Sequence, residues 1–135
     1  MKVSKTHQEF HPVDMDTEGW NVPPGYPQGI EQKILSGHLD EHRKEGFRTR
    51  LLRFRPGVYT TKPFVHDYFE EVYLVEGDLT VGNDENGQGG EAFRPHTYAC
   101  RPPGAFHGPF KSNNGCVLVE LHYYVDRPQG VHPVR

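Results

Sequence analysis

Cysteine is scarce: Cys100 and Cys116 are the only two in 135 residues, and they do not form a C-x-x-C pair. That excludes a disulfide scaffold and a zinc knuckle, and in a reducing compartment both are expected as buried thiols. Long apolar runs are also missing. The longest, Val72-Tyr73-Leu74-Val75, falls far short of the roughly 20 residues a membrane helix needs. The opening Met1-Lys2-Val3-Ser4-Lys5 leads into polar sequence rather than a signal core, so a cytoplasmic address and no membrane partner are expected. Concentrated positive charge is absent as well: the net charge is −3, and the fifteen Lys and Arg are scattered singly, which argues against a nucleic-acid partner.

What is abundant is turn chemistry. Fifteen glycines and twelve prolines, a fifth of the chain, force the backbone to turn often and leave no room for long helices. Eight Phe, seven Tyr and one Trp supply large side chains for a core, so the chain reads as one β-rich domain. Residues 1–46 read as an N-terminal arm rich in proline, anchored by Trp20 and Tyr26, followed by a short helix over Glu31–Glu45 in which Ile34, Leu35 and Leu39 have helical spacing. Residues 47–126 carry short β-type runs at Thr49–Phe54, Glu70–Glu76, Asp78–Val81, Tyr98–Arg101 and Val117–Val125, separated by Gly, Pro and Asn turns. Residues 127–135 form a tail. Several short strands at this spacing predict an all-β antiparallel sandwich or small barrel.

Nine histidines ask for a chemical explanation, since imidazole is the commonest metal ligand. His66 and Glu70 share the parity of Val72 and Leu74, the inward face of a strand. An extended chain would hold them roughly 13 Å apart, too far for one ion with ligand bonds of about 2 Å. They meet only if Asp67-Tyr68-Phe69 turns the chain back. The spacing alone fits equally well a hydrogen-bonded loop histidine beside solvated glutamates. His7, His11, His38, His42 and His132 fall in polar or terminal segments and are expected at the surface.

The wider context narrows the choice. Gly57, Phe64, His66, Glu70 and Gly77 follow one another with the order and spacing of the first cupin motif, which carries His-x-His where this chain has Phe64-Val65-His66. Pro102-Pro103-Gly104-Ala105-Phe106-His107 matches the second motif, Pro-x-Gly-x-x-His, although Lys111 stands where that motif usually ends in Asn. The chain therefore resembles the cupin superfamily over Leu51–Val125, and Tyr98–Phe110 is most similar to small single-domain cupins related to acetylacetone dioxygenase and to the sensor cupins of anti-sigma factors. The resemblance implies a double-stranded β-helix, a jelly-roll barrel with an extended N-terminal arm, whose interior holds a divalent metal on His66, Glu70 and His107. The ion is expected to be Fe(II), with Zn, Mn and Ni as alternatives. Two imidazoles and one carboxylate are the ligand type of non-haem Fe(II) oxygenases and leave positions for substrate and O₂. His96 and His122 are candidate extra ligands in place of the histidine replaced by Phe64.

Phe64, Phe106, Phe110 and Tyr123 are expected to line an apolar pocket, and Arg101 or Lys62 to hold an anionic group of a small-molecule substrate. Three functions follow. The leading one is a dioxygenase that cleaves a carbon–carbon bond of a small enolisable or phenolic compound with O₂. The second is a metal-dependent lyase, isomerase or cyclase with Glu70 as general base. The third is a ligand-binding or sensor module without catalysis. Cupins are commonly dimers, so a homodimer is expected, with the proline-rich arm able to cover a sheet edge on either chain.

Overall fold

Alternation of inward and outward side chains builds this molecule, and glycine turns set where each strand stops. A computed structural model describes residues 3–125. Eight strands follow in chain order: β1 Ile30–Asp40, β2 Glu45–Phe54, β3 Phe69–Gly77, β4 Leu79–Val81, β5 Glu91–Phe93, β6 Tyr98–Arg101, β7 Phe110–Lys111 and β8 Cys116–Tyr123. They form an antiparallel five-stranded sheet of order β1-β2-β8-β3-β6 and a three-stranded sheet of order β5-β4-β7. The architecture is all-β, and among the described residues there is no helix, so none is long and apolar enough to cross a membrane.

The helix expected over Glu31–Glu45 is corrected to β1, the turn after it and the start of β2. A β-bulge explains the misleading pattern. Leu35 is an extra residue between the pairs Ile34–Arg50 and Ser36–Thr49, so the apolar parity slips by one along the strand. Ile30 and Leu39 are both buried, although nine positions apart. Gly37 fixes the pairing closely: a Cβ there would lie 1.9 Å from the Phe47 carbonyl oxygen. The strands of the barrel thus begin at residue 30 rather than 47. The 127–135 tail and His132 lie outside the described residues.

Ahead of β1 the arm is extended, as its composition predicts, and it lies on its own barrel. The Ser4 hydroxyl and the Gln8 amide donate to the carbonyls of His38 and Leu35 on the edge strand β1. The Trp20 ring stacks under the Arg53 guanidinium at 3.9 Å.

Along β8 the inward residues are Cys116, Leu118, Glu120 and His122, all buried. The first two join Ile30, Leu52, Phe54, Val72, Leu74 and Leu79 in the main core. Each such side chain contributes about 1.5–3 kcal/mol by leaving water. The closing glycine of the first motif, Gly77, ends β3 at φ 84° with a Cβ position only 2.0 Å from the Gly115 carbonyl oxygen, so any side chain there would push β3 and β8 apart. The barrel is apolar at the Gly77 end. At the other end the same inward row turns polar.

Candidate metal centre

The polar end is built by cross-strand register. Arg48 on β2 lies opposite His122 on β8, which lies opposite Glu70 on β3, which lies opposite Arg101 on β6. One step deeper, Arg50 faces Glu120. Directly opposed residues on one face of a sheet are close neighbours, so this register alone gathers six ionisable groups.

His66 and His107 arrive from loops. The chain bends at Asp67–Tyr68 before β3 starts, which is the turn needed to bring His66 beside Glu70. Reciprocal backbone hydrogen bonds between Phe64 and His107, 2.7 and 2.9 Å, tie the two motif loops together. The Gly104 N–H donates to the His66 carbonyl at 2.8 Å. Three ligand atoms now face one another. His66 Nε2 lies 3.7 Å from Glu70 Oε1, and His107 Nε2 lies 3.3 Å from Glu70 Oε2.

Proton accounting shows what this arrangement can hold. A carbonyl oxygen only accepts, so the bond between His107 Nδ1 and the Ala105 carbonyl, 3.1 Å, puts the ring proton on Nδ1. In the neutral ring His107 Nε2 then carries the lone pair, 3.3 Å from a carboxylate oxygen. His66 Nε2 is buried without a hydrogen-bond partner. Burial pushes the His66 imidazole down to about 4, with Glu70 pulling the other way, so at neutral pH it too offers a lone pair. Two lone pairs and a carboxylate converging in a buried site are short of one cation. His66, Glu70 and His107 fit a divalent metal, and the Nδ1–carbonyl bond is the kind of outer contact that orients a ligating histidine.

Beside this triad sits a second group of suitable type, Glu70, Glu120 and His122. Its proton accounting comes out differently. The Arg48 guanidinium donates to His122 Nδ1 from Nε at 3.2 Å and from Nη2 at 2.6 Å. Arginine cannot accept, so the His122 proton is on Nε2, from which it is shared between Glu70 Oε1 and Glu120 Oε1, both at 3.1 Å. Arg50 pairs with Glu120 at 2.7 Å. Burial alone would raise the Glu120 carboxyl, but Arg50 and His122 hold it below its ordinary range. This second cluster is satisfied within the protein. In this arrangement His122 orients Glu70 as a donor and has no lone pair aimed at the triad.

A cavity of about 890 Å³ opens beside His66 and is lined by Tyr26, Arg48, Lys62, Phe64 and Tyr68 among others. On the inner side of Glu70 and His107 only about 30 Å³ remains, bounded by Leu52, Phe54, Val72 and Leu118. The larger space at the triad therefore lies past His66, and a smaller one of about 200 Å³ lies in the barrel between Leu74, Phe93 and Arg101. Phe64 stands where the cupin pattern carries its first histidine. Its ring stacks on Tyr26 at 4.9 Å and lies 6.1 Å from the His107 ring, so hydrocarbon occupies that side of the site.

The other expected site residues divide. Phe110 packs against Phe64 and under the Arg101 guanidinium. Arg101 is at the site but donates to Glu70 Oε2 at 2.9 Å, so it fixes the ligand rather than waiting for a substrate anion. Phe106 is corrected to the surface, 75% exposed, because the Gly104–His107 turn swings it outward. Tyr123 is corrected to the outer face of β8, where odd-numbered positions point away from the core; it stacks on Phe47 and Phe69 and donates to Glu71. His96 is exposed, outside the site, and bonded to Tyr73. Cys116 is buried as expected, whereas Cys100 is exposed. Arg48, Arg50 and Tyr68 were not singled out by sequence reasoning. The signal for the two arginines was present: they continue the parity of Leu52 and Phe54.

Comparison with known proteins agrees with this architecture. The ChrR Cupin-like domain family matches residues 8–126. No curated protein matches the sequence. Among solved structures, an RmlC-like cupin from Shewanella frigidimarina NCIMB 400 is similar at a TM-score of 0.61 and 19% identity, covering 90% of this chain and 95% of that one. An acetylacetone dioxygenase from Acinetobacter johnsonii is similar at 0.58 and 19%, covering 90% and 82%. A sugar phosphate isomerase of the cupin superfamily from Silicibacter pomeroyi DSS-3 is similar at 0.58 and 19%, covering 85% and 76%. With both motifs, the two-sheet barrel and a family match over most of its length, this chain belongs to the ChrR cupin-like domain family of cupins.

Proposed function

We propose that this protein is a metal-dependent dioxygenase that holds one first-row divalent ion, Fe(II) by ligand type, on His66, Glu70 and His107, and cleaves a carbon–carbon bond of a small enolisable or phenolic compound with O₂. One observation carries this reading: two imidazole nitrogens and a carboxylate converge within reach of one ion, beside a cavity of small-molecule size. When bound, the ion supplies Lewis acidity towards an enolate or phenolate and one-electron chemistry with O₂.

The chain's own residues do the rest. Arg101 and His122 hold the Glu70 carboxylate from two sides, and the Ala105 carbonyl fixes the His107 tautomer. Tyr68 stacks on the His66 ring at 4.6 Å and limits its rotation. Phe64 and Tyr26 stack to give one side of the site an aromatic surface in place of a polar one. The acetylacetone dioxygenase and the sugar phosphate isomerase among the similar folds mark the choice between oxidative and non-oxidative chemistry.

Elemental analysis of full-length protein is expected to show about one metal per chain, with substrate-dependent O₂ uptake lost in His66→Ala and His107→Ala. Uptake that persists in both variants would overturn the reading. Product formation that continues unchanged without O₂ would replace it with a lyase, isomerase or cyclase. Metal below about a tenth of an equivalent, with tight retention of an organic ligand, would make the protein a binding or sensor module.

A further inference from the structure

Three arginines turn into the polar end of the barrel, and their partners differ. Arg50 pairs with Glu120, and Arg101 with Glu70. Arg48 donates Nε and Nη2 to a neutral imidazole, and among the described residues no carboxylate pairs with it. Among the described residues its Nη1 has no hydrogen-bond partner, and its side chain lines the 890 Å³ cavity that also borders His66. A half-buried guanidinium without a counter-charge is unusual, since such groups are normally matched by an anion. Burial draws its pKa down and the neighbouring Arg50 adds to this, while Tyr68, Glu41 and Glu120 pull the other way without overcoming them.

The rest of the cavity wall is consistent with a missing anion. Lys62 is an exposed second cation on the same wall, and Glu41, also exposed, is the wall's one acid and acts on Arg48 through space without an ion-pair contact among the described residues. Tyr26, Tyr59, Phe64 and Tyr68 give the space between the cations and His66 a largely aromatic surface. The end-on face of Arg48 presents N–H groups from both terminal nitrogens, which matches the two oxygens of a carboxylate.

We propose that the substrate is a small organic carboxylate, bound with its charged end on Arg48 and Lys62 and its apolar body directed towards His66. This rests on the reading of the cavity as the substrate site of the metal centre. It names the charge that the substrate must bring, and it assigns Arg48 as a specificity-determining residue in place of Arg101.

The test uses benzoate as the probe and benzamide as its uncharged counterpart, titrated calorimetrically into the full chain, with metal content measured on the same samples. Benzoate is expected to bind more tightly than benzamide, to weaken with added salt, and to bind about tenfold or more weakly in Arg48→Gln. The glutamine amide can still donate to His122 Nδ1, so benzamide binding in that variant should not change. Equal binding of benzoate and benzamide by the unaltered protein would overturn the proposal without any variant. So would the absence of benzoate binding, an unchanged benzoate affinity in Arg48→Gln, or tighter binding of phenyl phosphate than of benzoate. Benzoate selectivity in a protein that takes up no metal would separate this inference from the dioxygenase reading, leaving the anion site standing and the metal chemistry lost.

Discussion

Two buried clusters meet at Glu70 and both contain histidine and glutamate, yet one, which also holds two arginines, is closed and the other open. In Arg48–Arg50–Glu120–His122 both ring nitrogens and Glu120 Oε1 have a donor or acceptor of the opposite kind. In His66–Glu70–His107 the nitrogens that face the carboxylate are both acceptors. Histidine and glutamate alone do not distinguish them. Where the protons sit does, and Arg48 decides it for His122 by taking the lone pair of Nδ1. A cluster that balances its own protons stabilises the barrel, and one that does not is left to bind a cation.

The largest expected effect breaks the closed cluster. Glu120→Leu leaves the buried Arg50 without its carboxylate and should cost about 3–5 kcal/mol, read as a drop in the urea midpoint. The double variant Arg50→Met with Glu120→Leu should recover most of that loss, because it removes both charges together. The open cluster should show no such loss: His66→Ala removes a group with no hydrogen-bond partner on Nε2, and its unfolding free energy in metal-free buffer should fall by less than about 1 kcal/mol. A metal-free His66→Ala protein as unstable as Glu120→Leu would erase the distinction.

Chelation sharpens the same contrast at an intermediate scale. An ion bound to the folded state at about a hundredfold over its dissociation constant contributes about 2.7 kcal/mol. Stripping it should lower the thermal midpoint of the unaltered protein and leave that of His66→Ala unchanged. A chelator effect that survives His66→Ala would place the ion elsewhere, with Glu70–Glu120–His122 the next candidate.

Much of this was open to reading in the chain itself. The two motifs located His66, Glu70 and His107, and strand parity put Glu70 with Val72 and Glu120 with His122 on inward faces. Parity does not state register, however. That Arg48, His122, Glu70 and Arg101 stand in one row follows from pairings between residues up to 74 positions apart, which no local pattern encodes. The same limit explains why Arg101 was assigned to a substrate and Arg48 overlooked. Leu35 shows the reverse failure. One inserted residue in β1 produced a local periodicity that mimics a helix, and only the pairing with β2 reveals the bulge.

A pH profile separates the clusters by where each one fails. In the metal-free protein the His66 imidazole is lowered by burial from its ordinary 6.5 to about 4. The unfolded chain therefore takes up that proton first, and stability that is full above pH 6.5 declines as pH falls towards 4. For Glu120, burial opposes ionisation, but Arg50 and His122 prevail and keep its carboxyl below the ordinary 4.5, so its contribution is intact above that value and declines only under it. Urea midpoints of metal-free protein across this range should show an upper decline that disappears in His66→Ala and a lower one that disappears in the Arg50→Met, Glu120→Leu pair. If His66→Ala leaves the upper decline in place, His66 is not held neutral by burial, and its lone pair is not the one left waiting for a cation.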